Sequence, residues 1–203
     1  DINKAVHYYR LAANQQFARG INDLGMCYHY GDGVEKDYQE AMKLYQRAVE
    51  LGLPQANFNI ALLFLSGNGV TKSVSVALDW FHKGSNVGHL RSQLKLAEIY
   101  EKGLYDVPVN MAKAAVELKR ASDASNHVES TYKLATMYEH GNGVELHFAT
   151  AVKLYEKCAK HQDAVQRSTR LKKCLLGLQM FENHKQKKVT SGIVVIECAK
   201  SRK

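Results

Sequence analysis

The chain has 203 residues, of which 45% are hydrophobic and 24% charged, with a formal net charge of +8. This is the composition of an ordinary soluble protein, and no apolar run approaches the roughly 20 residues needed to span a bilayer. The charge is uneven: residues 163–203 hold ten Lys/Arg against three Asp/Glu, so that end carries +7 and residues 1–162 only +1.

Taken in chain order, the sequence repeats. Residues 1–17 carry Ala5, Tyr9 and Ala12, a pattern that returns further on as the second helix of a two-helix unit. Residues 18–53 begin with Leu24-Gly25 and Tyr28, turn at Gly31-Asp32-Gly33-Val34, and continue with Ala41, Tyr45 and Ala48. Residues 54–89 repeat this with Ile60-Ala61 and Phe64, then Gly67-Asn68-Gly69-Val70, then Ala77, Phe81 and Gly84. Residues 90–126 carry Leu96-Ala97 and Tyr100, a degraded turn at Gly103-Leu104-Tyr105-Asp106-Val107, then Ala114, Leu118 and Ala121. Residues 127–162 carry Leu134-Ala135 and Tyr138, Gly141-Asn142-Gly143-Val144, then Ala151, Tyr155 and Cys158. Large, small and aromatic residues at i, i+1 and i+4 are what one helix face needs to pack closely on another. The glycine after each first helix can adopt the left-handed conformation that closes a helix C-terminus. A phosphate loop is excluded, because no strand precedes the glycines, no Lys-Ser/Thr follows them, and they recur in every unit.

Turns at Gly31, Gly67, Gly103 and Gly141 are spaced by 36, 36 and 38 residues. A fixed period of this size implies a stacked array in which each unit buries its face against its neighbours. Residues 1–162 are therefore expected to form one continuous all-α domain, starting in mid-repeat as part of a longer protein. Residues 163–182, with Arg167, Arg170, Lys172 and Lys173 between Leu171, Leu175, Leu178 and Phe181, read as a basic amphipathic helix capping the last unit. Residues 183–203 read as a basic tail, with Lys185-Gln186-Lys187-Lys188 and a strand-like run Ile193-Val194-Val195-Ile196.

The order Leu-Gly-x-x-Tyr-x-x-Gly-x-Gly-Val followed by Ala-x-x-x-Tyr-x-x-Ala, clearest from Leu24 to Val49, resembles the Sel-1-like repeat, a relative of the tetratricopeptide repeat. The resemblance covers residues 1 to about 162, departs from the family pattern at Gly103–Asn110, and fades after His161. It implies a right-handed α–α superhelix, or solenoid, of antiparallel helix pairs that scaffolds protein complexes. Family members serve in endoplasmic-reticulum quality control, signalling adaptors, fungal cell-wall synthesis and bacterial host interaction.

A solenoid presents a groove lined by the exposed stripe of each first helix. Positions two and five after Leu24, Ile60, Leu96 and Leu134 are expected to face it: Met26 and His29, Leu62 and Leu65, Glu98 and Glu101, Thr136 and Glu139. Such a groove would be apolar at its beginning and acidic towards its end, and would hold a partner's helix or extended peptide. A basic tail folded back on Glu98, Glu101 and Glu139 is a further expectation. Nucleic acid and membrane are not expected partners of the tail, since no stacking aromatics flank its lysines and no nucleic-acid motif is present.

Catalysis is not expected. The nine histidines are scattered, no His-Glu-x-x-His or zinc-type Cys/His spacing occurs, and no nucleophile has a base placed beside it; no cofactor is implied. Cys27, Cys158, Cys174 and Cys198 form no Cys-x-x-Cys pair, which together with the absence of Asn-x-Ser/Thr acceptors leads us to expect a reducing, cytoplasmic setting. The expected function is a protein-interaction scaffold or adaptor, with a regulatory repeat arm of a larger enzyme, such as a kinase, or of a quality-control subunit as the alternative.

Overall fold

A computed structural model describes the backbone of residues 1–184 and the side chains of residues 1–176. The expectations placed on Leu178, Phe181, the lysine cluster and the Ile193–Ile196 run lie outside the described side chains. The described residues form helices and no strands: α1 (Ile2–Asn14), α2 (Ala18–Tyr30), α3 (Tyr38–Glu50), α4 (Pro54–Ser66), α5 (Val74–Asn86), α6 (Leu90–Lys102), α7 (Met111–Ser125), α8 (Val128–His140), α9 (Phe148–Lys157) and α10 (Ala164–His184). Two compact units result, residues 1–109 and the residues from Asn110 onward. The boundary falls inside the third full repeat, between its two helices, where a single continuous domain was expected.

Helix ends follow from local chemistry. Gly31, Gly67, Gly103 and Gly141 close α2, α4, α6 and α8 in the left-handed conformation, each donating its N–H to the carbonyl four residues back. The second helices start on side-chain caps: Asp1 for α1, Asp37 for α3, Ser73 for α5, Asn110 for α7 and His147 for α9. Pro54 is the first residue of α4, where its missing N–H costs nothing.

The three intact Gly-x-Gly-Val turns close with the same bond. Asp37, Ser73 and His147 each donate a backbone N–H at 2.9 Å to the carbonyl of Tyr28, Phe64 and Tyr138. Their second glycine has a job the sequence reading missed. At Gly143 (φ +72°) a Cβ would lie 2.3 Å from the Met111 carbonyl carbon, so only glycine lets the turn lie against the preceding second helix. The degraded turn lacks that glycine and instead holds Tyr105 and Asp106 at φ +58° and +61° in a short 3-10 turn, Leu104–Asp106.

In the first unit, each helix packs on its neighbours in sequence. Its core runs through Val6, Ile21, Leu24, Tyr45, Ile60 and Leu63, all buried. Gly25 lies against the Tyr45 ring, where a Cβ would sit 2.8 Å from a ring carbon; this is the small-against-aromatic contact that the repeat pattern predicts. In the second unit, α7 packs on α8, α8 on α9 and α9 on α10. Phe148, Ala151, Tyr155, Cys158, Ala164 and Leu171 form its core, so α10 is an integral layer of this unit.

Candidate partner-binding surface

The four first helices place their two expected groove positions differently. The residue two after the leading Leu/Ile is half-buried in every repeat: Met26, Leu62, Glu98 and Thr136. The residue five after it is sealed in three repeats, where His29 is 9% exposed, Leu65 8% and Glu139 0%; Glu101 is half-exposed. His29, Leu65 and Glu139 were expected as contact side chains and are interior ones. At 100° per residue, position five lies only about 40° beyond the small residue at position one, inside the arc that the neighbouring helices cover.

The open stripe continues instead from position two to position six, one helical turn further on. Tyr30, Ser66, Lys102 and His140 occupy it and are all exposed. The i to i+4 spacing carries this signal in the sequence. In the first unit the stripe reads Met26 and Tyr30 on α2, Leu62 and Ser66 on α4, Glu98 and Lys102 on α6. Asn59 on α4 donates to Asn22 Oδ1 on α2 at 2.8 Å, fixing these two first helices side by side. Met26 is held by the same amide, its sulfur 3.8 Å from Asn22 Nδ2.

Of the glutamates expected to make the end of the stripe acidic, Glu98 and Glu101 are half-exposed and Glu139 is buried. Glu98 lies 3.1 Å from both Lys95 and Lys102, and these hydrogen bonds hold its carboxyl below the usual range. Glu139 is enclosed and neutralised. Tyr155 donates to its Oε2 at 2.6 Å, Arg167 contacts the same oxygen at 3.1 Å, and Arg170 pairs with Oε1. Burial pushes this carboxyl up, but the Tyr155 and Arg167 hydrogen bonds and the charges of Arg170 and Arg167 outweigh burial, leaving it below the usual carboxylate range. Burial and the bond to Glu139 push the Tyr155 phenol well up. Acid–base pairing with Glu139 therefore does occur, through Arg167 and Arg170 of α10; the expected contact of the tail with Glu98, Glu101 and Glu139 lies outside the described residues. Thr136, the remaining expected contact, is half-buried with its hydroxyl donating to the Lys133 carbonyl at 2.6 Å.

In the three repeats where position five is sealed, it pairs with the aromatic residue of the following helix and the two match; the third full repeat has the half-exposed Glu101 and, in place of the aromatic, Leu118. His29 Nδ1 is 3.4 Å from the Tyr45 hydroxyl, and Glu139 accepts from Tyr155, each pair 16 residues apart. Where the aromatic is Phe81, which has no hydroxyl to satisfy, the position holds Leu65; both are buried. His29 also stacks on Tyr30, with ring centroids 4.5 Å apart. Its imidazole titrates below its ordinary range, chiefly through burial and secondarily through the Lys36 charge.

Three histidines contact hydroxyls three residues on: His89 with Ser92, His127 with Ser130 and His147 with Thr150, at 2.9, 2.9 and 2.8 Å. Ser92 and Ser130 are buried, 0% and 1% exposed, so in these two pairs the hydroxyl is closed to a substrate. Cys27 and Cys158 are buried free thiols, and Cys158 packs in the core of the second unit.

Helix hairpins of this length, closed by Gly-x-Gly turns and packed small residue to aromatic, define an α-helical solenoid repeat protein. The Sel1 repeat family matches residues 1–17, 18–53, 54–89, 90–126 and 128–163, and the chain belongs to that family. It is similar to chitin synthase regulatory factor 3 of Schizosaccharomyces pombe, 30% identical over 70% of this chain and 16% of that protein. Chitin synthase regulatory factor 2 of the same yeast is 31% identical over 71% of this chain and 30% of its own length. The chain thus spans less than a third of either relative. Among solved structures, a Sel1 repeat protein from Oxalobacter formigenes superposes with a TM-score of 0.71 and 28% identity, covering 84% of this chain and 50% of that one. A protective antigen of uropathogenic Escherichia coli with an SLR fold gives 0.63 and 31%, covering 79% and 34%.

Proposed function

We propose that the chain is a regulatory protein-interaction module which holds a helix or extended segment of a partner on the open stripe of its first helices. The observation that carries this reading is the stripe itself. Repeat after repeat, position two stays half-open between the buried residues that precede and follow it, and in the first unit it offers Met26 and Leu62 beside the exposed Tyr30. Half-open apolar side chains lined up on adjacent helices suit an apolar partner face. The similarity to two proteins named as chitin synthase regulatory factors supports a regulatory role, with the partner being the enzyme regulated or another subunit of its assembly. The same stripe would serve a regulatory arm acting on a catalytic domain of its own polypeptide.

The test is affinity capture from the source cells with this chain and with its Met26→Glu, Leu62→Glu variant, after circular dichroism shows the variant folded. A protein held by the first and lost by the second supports the reading. Identical captured sets would remove the stripe as the binding surface. Leu65→Glu is unsuitable for this purpose, because it places a charge in the interior.

A further inference from the structure

Histidine occupies an unusual place in the second unit. The second helices of the five repeats begin on Asp1, Asp37, Ser73, Asn110 and His147, so four have a conventional capping residue and the last has an imidazole. The helix before it, α8, also begins on a histidine, His127. Both rings do the same work. The Thr150 backbone N–H donates to His147 Nδ1 at 3.1 Å, and the Ser130 backbone N–H donates to His127 Nδ1 at 3.2 Å.

A backbone N–H can only donate, so while this bond stands each Nδ1 offers it a lone pair, which is the neutral ring with its proton on Nε2. A second proton on Nδ1 would turn it to the Ser130 or Thr150 hydroxyl, 2.9 and 2.8 Å away, leave the backbone N–H without its acceptor, and put positive charge at a helix N-terminus, where the macrodipole disfavours it. Imidazole is the kind of side chain whose charge changes within the physiological range, which hydroxyl and amide caps such as Ser73 and Asn110 do not do.

The charged groups around these two rings do not rescue the protonated form. Neither ring ion-pairs with a carboxylate among the described residues. Glu129, the acidic residue in the first turn of α8, lies 3.4 Å from His161 Nε2. Asp123 on α7 is 3.9 Å from Lys157 of α9. His140, at the end of α8, has Nδ1 bonded to the Thr136 carbonyl at 2.7 Å. Glu139 is held by Tyr155, Arg167 and Arg170, and Glu145 precedes the α9 cap by two residues.

We infer that the α8–α9 hairpin is an acid-responsive element whose two helix starts are released when His127 and His147 are protonated. The hairpin carries Glu139 and Tyr155, onto which α10 is clamped, so its loosening reaches the closing helix of the unit.

The experiment is hydrogen–deuterium exchange of peptides from α8 and α9 in the full chain at pH 7.5 and 5.5, for the natural sequence and for His127→Asn, His147→Asn. Asparagine already caps α7 in this chain. Taking the ratio of natural to variant exchange cancels the intrinsic pH dependence and every contribution common to the two proteins. Loss of a cap is worth about fivefold in local opening, so the ratio should rise about fivefold for each helix on going to pH 5.5. His147→Asp alone should remove the response from α9 and leave it in α8. A ratio equal at the two pH values, or an α9 response that survives in His147→Asp, overturns the inference.

Discussion

The pairing of the sealed position with the following aromatic makes a sharp prediction at Glu139. Its side chain is fully enclosed and meets Tyr155 at 2.6 Å and Arg167 at 3.1 Å, with Arg170 on the other oxygen. Glu139→Leu copies the Leu65 found in the second full repeat but leaves the buried Tyr155 hydroxyl without an acceptor, a cost of about 1–3 kcal/mol. The arginines are 32% and 36% exposed at the side chain and regain water, so their lost pairing adds only about 0–1 kcal/mol each. The single variant should thus lose about 1–5 kcal/mol. Adding Tyr155→Phe completes the Leu65–Phe81 arrangement and should recover about 1–3 kcal/mol, because replacing a buried ionic group and its partner by apolar ones is often neutral. Urea denaturation of the natural chain, both single variants and the double variant closes the thermodynamic cycle. A double variant no more stable than Glu139→Leu would show that the two positions are not coupled, and the explanation of their covariation would fail.

Removing the clamp from the other side should cost more per group. Arg167→Ala with Arg170→Ala leaves a buried carboxylate without cationic partners, a loss of about 3 kcal/mol, readable as a lowered urea midpoint for the second unit. Because the Glu139 carboxyl titrates below its ordinary value near 4.5, its contribution is present at neutral pH and fades as pH falls below that value; a pH series on the natural chain and the arginine variant should converge in acid. Gly143→Ala combines a positive φ with a Cβ driven into the Met111 backbone, and is expected to destabilise the second unit by about 2–4 kcal/mol in thermal or urea melts. Met26→Glu with Leu62→Glu should leave the circular dichroism spectrum and melting of the first unit nearly unchanged, whereas Leu65→Glu should unfold it.

Much of the fold was legible because it is written once per repeat. Leu24-Gly25 and Tyr28 state a packed face, Gly31 a helix end, and Ala41 with Tyr45 the partner face, and each recurs often enough to outweigh its local ambiguity. The interaction stripe was only half legible. Met26 and Leu62 lie where the period puts them, but position five was misplaced because a solenoid helix is buried on a wider arc than a surface helix with one partner. Lysines at i−3 and i+4 of Glu98 did signal its neutralisation, through ordinary helical pairing. What encloses Glu139 was not readable locally, since Arg167 and Arg170 arrive from 28 and 31 residues away. The capping role of His147 was present in the alignment of Asp1, Asp37, Ser73 and Asn110 with it, and was hidden by reading the histidines as scattered.

The most direct measurement of the interaction role is site-specific photo-crosslinking in the source cells. A photoreactive residue is placed at Leu62 on the open stripe or at Lys43 on α3, whose side chain is 71% exposed. The account predicts a discrete crosslinked partner from position 62 and none from position 43. No adduct from 62, or the same adduct from both, would contradict it.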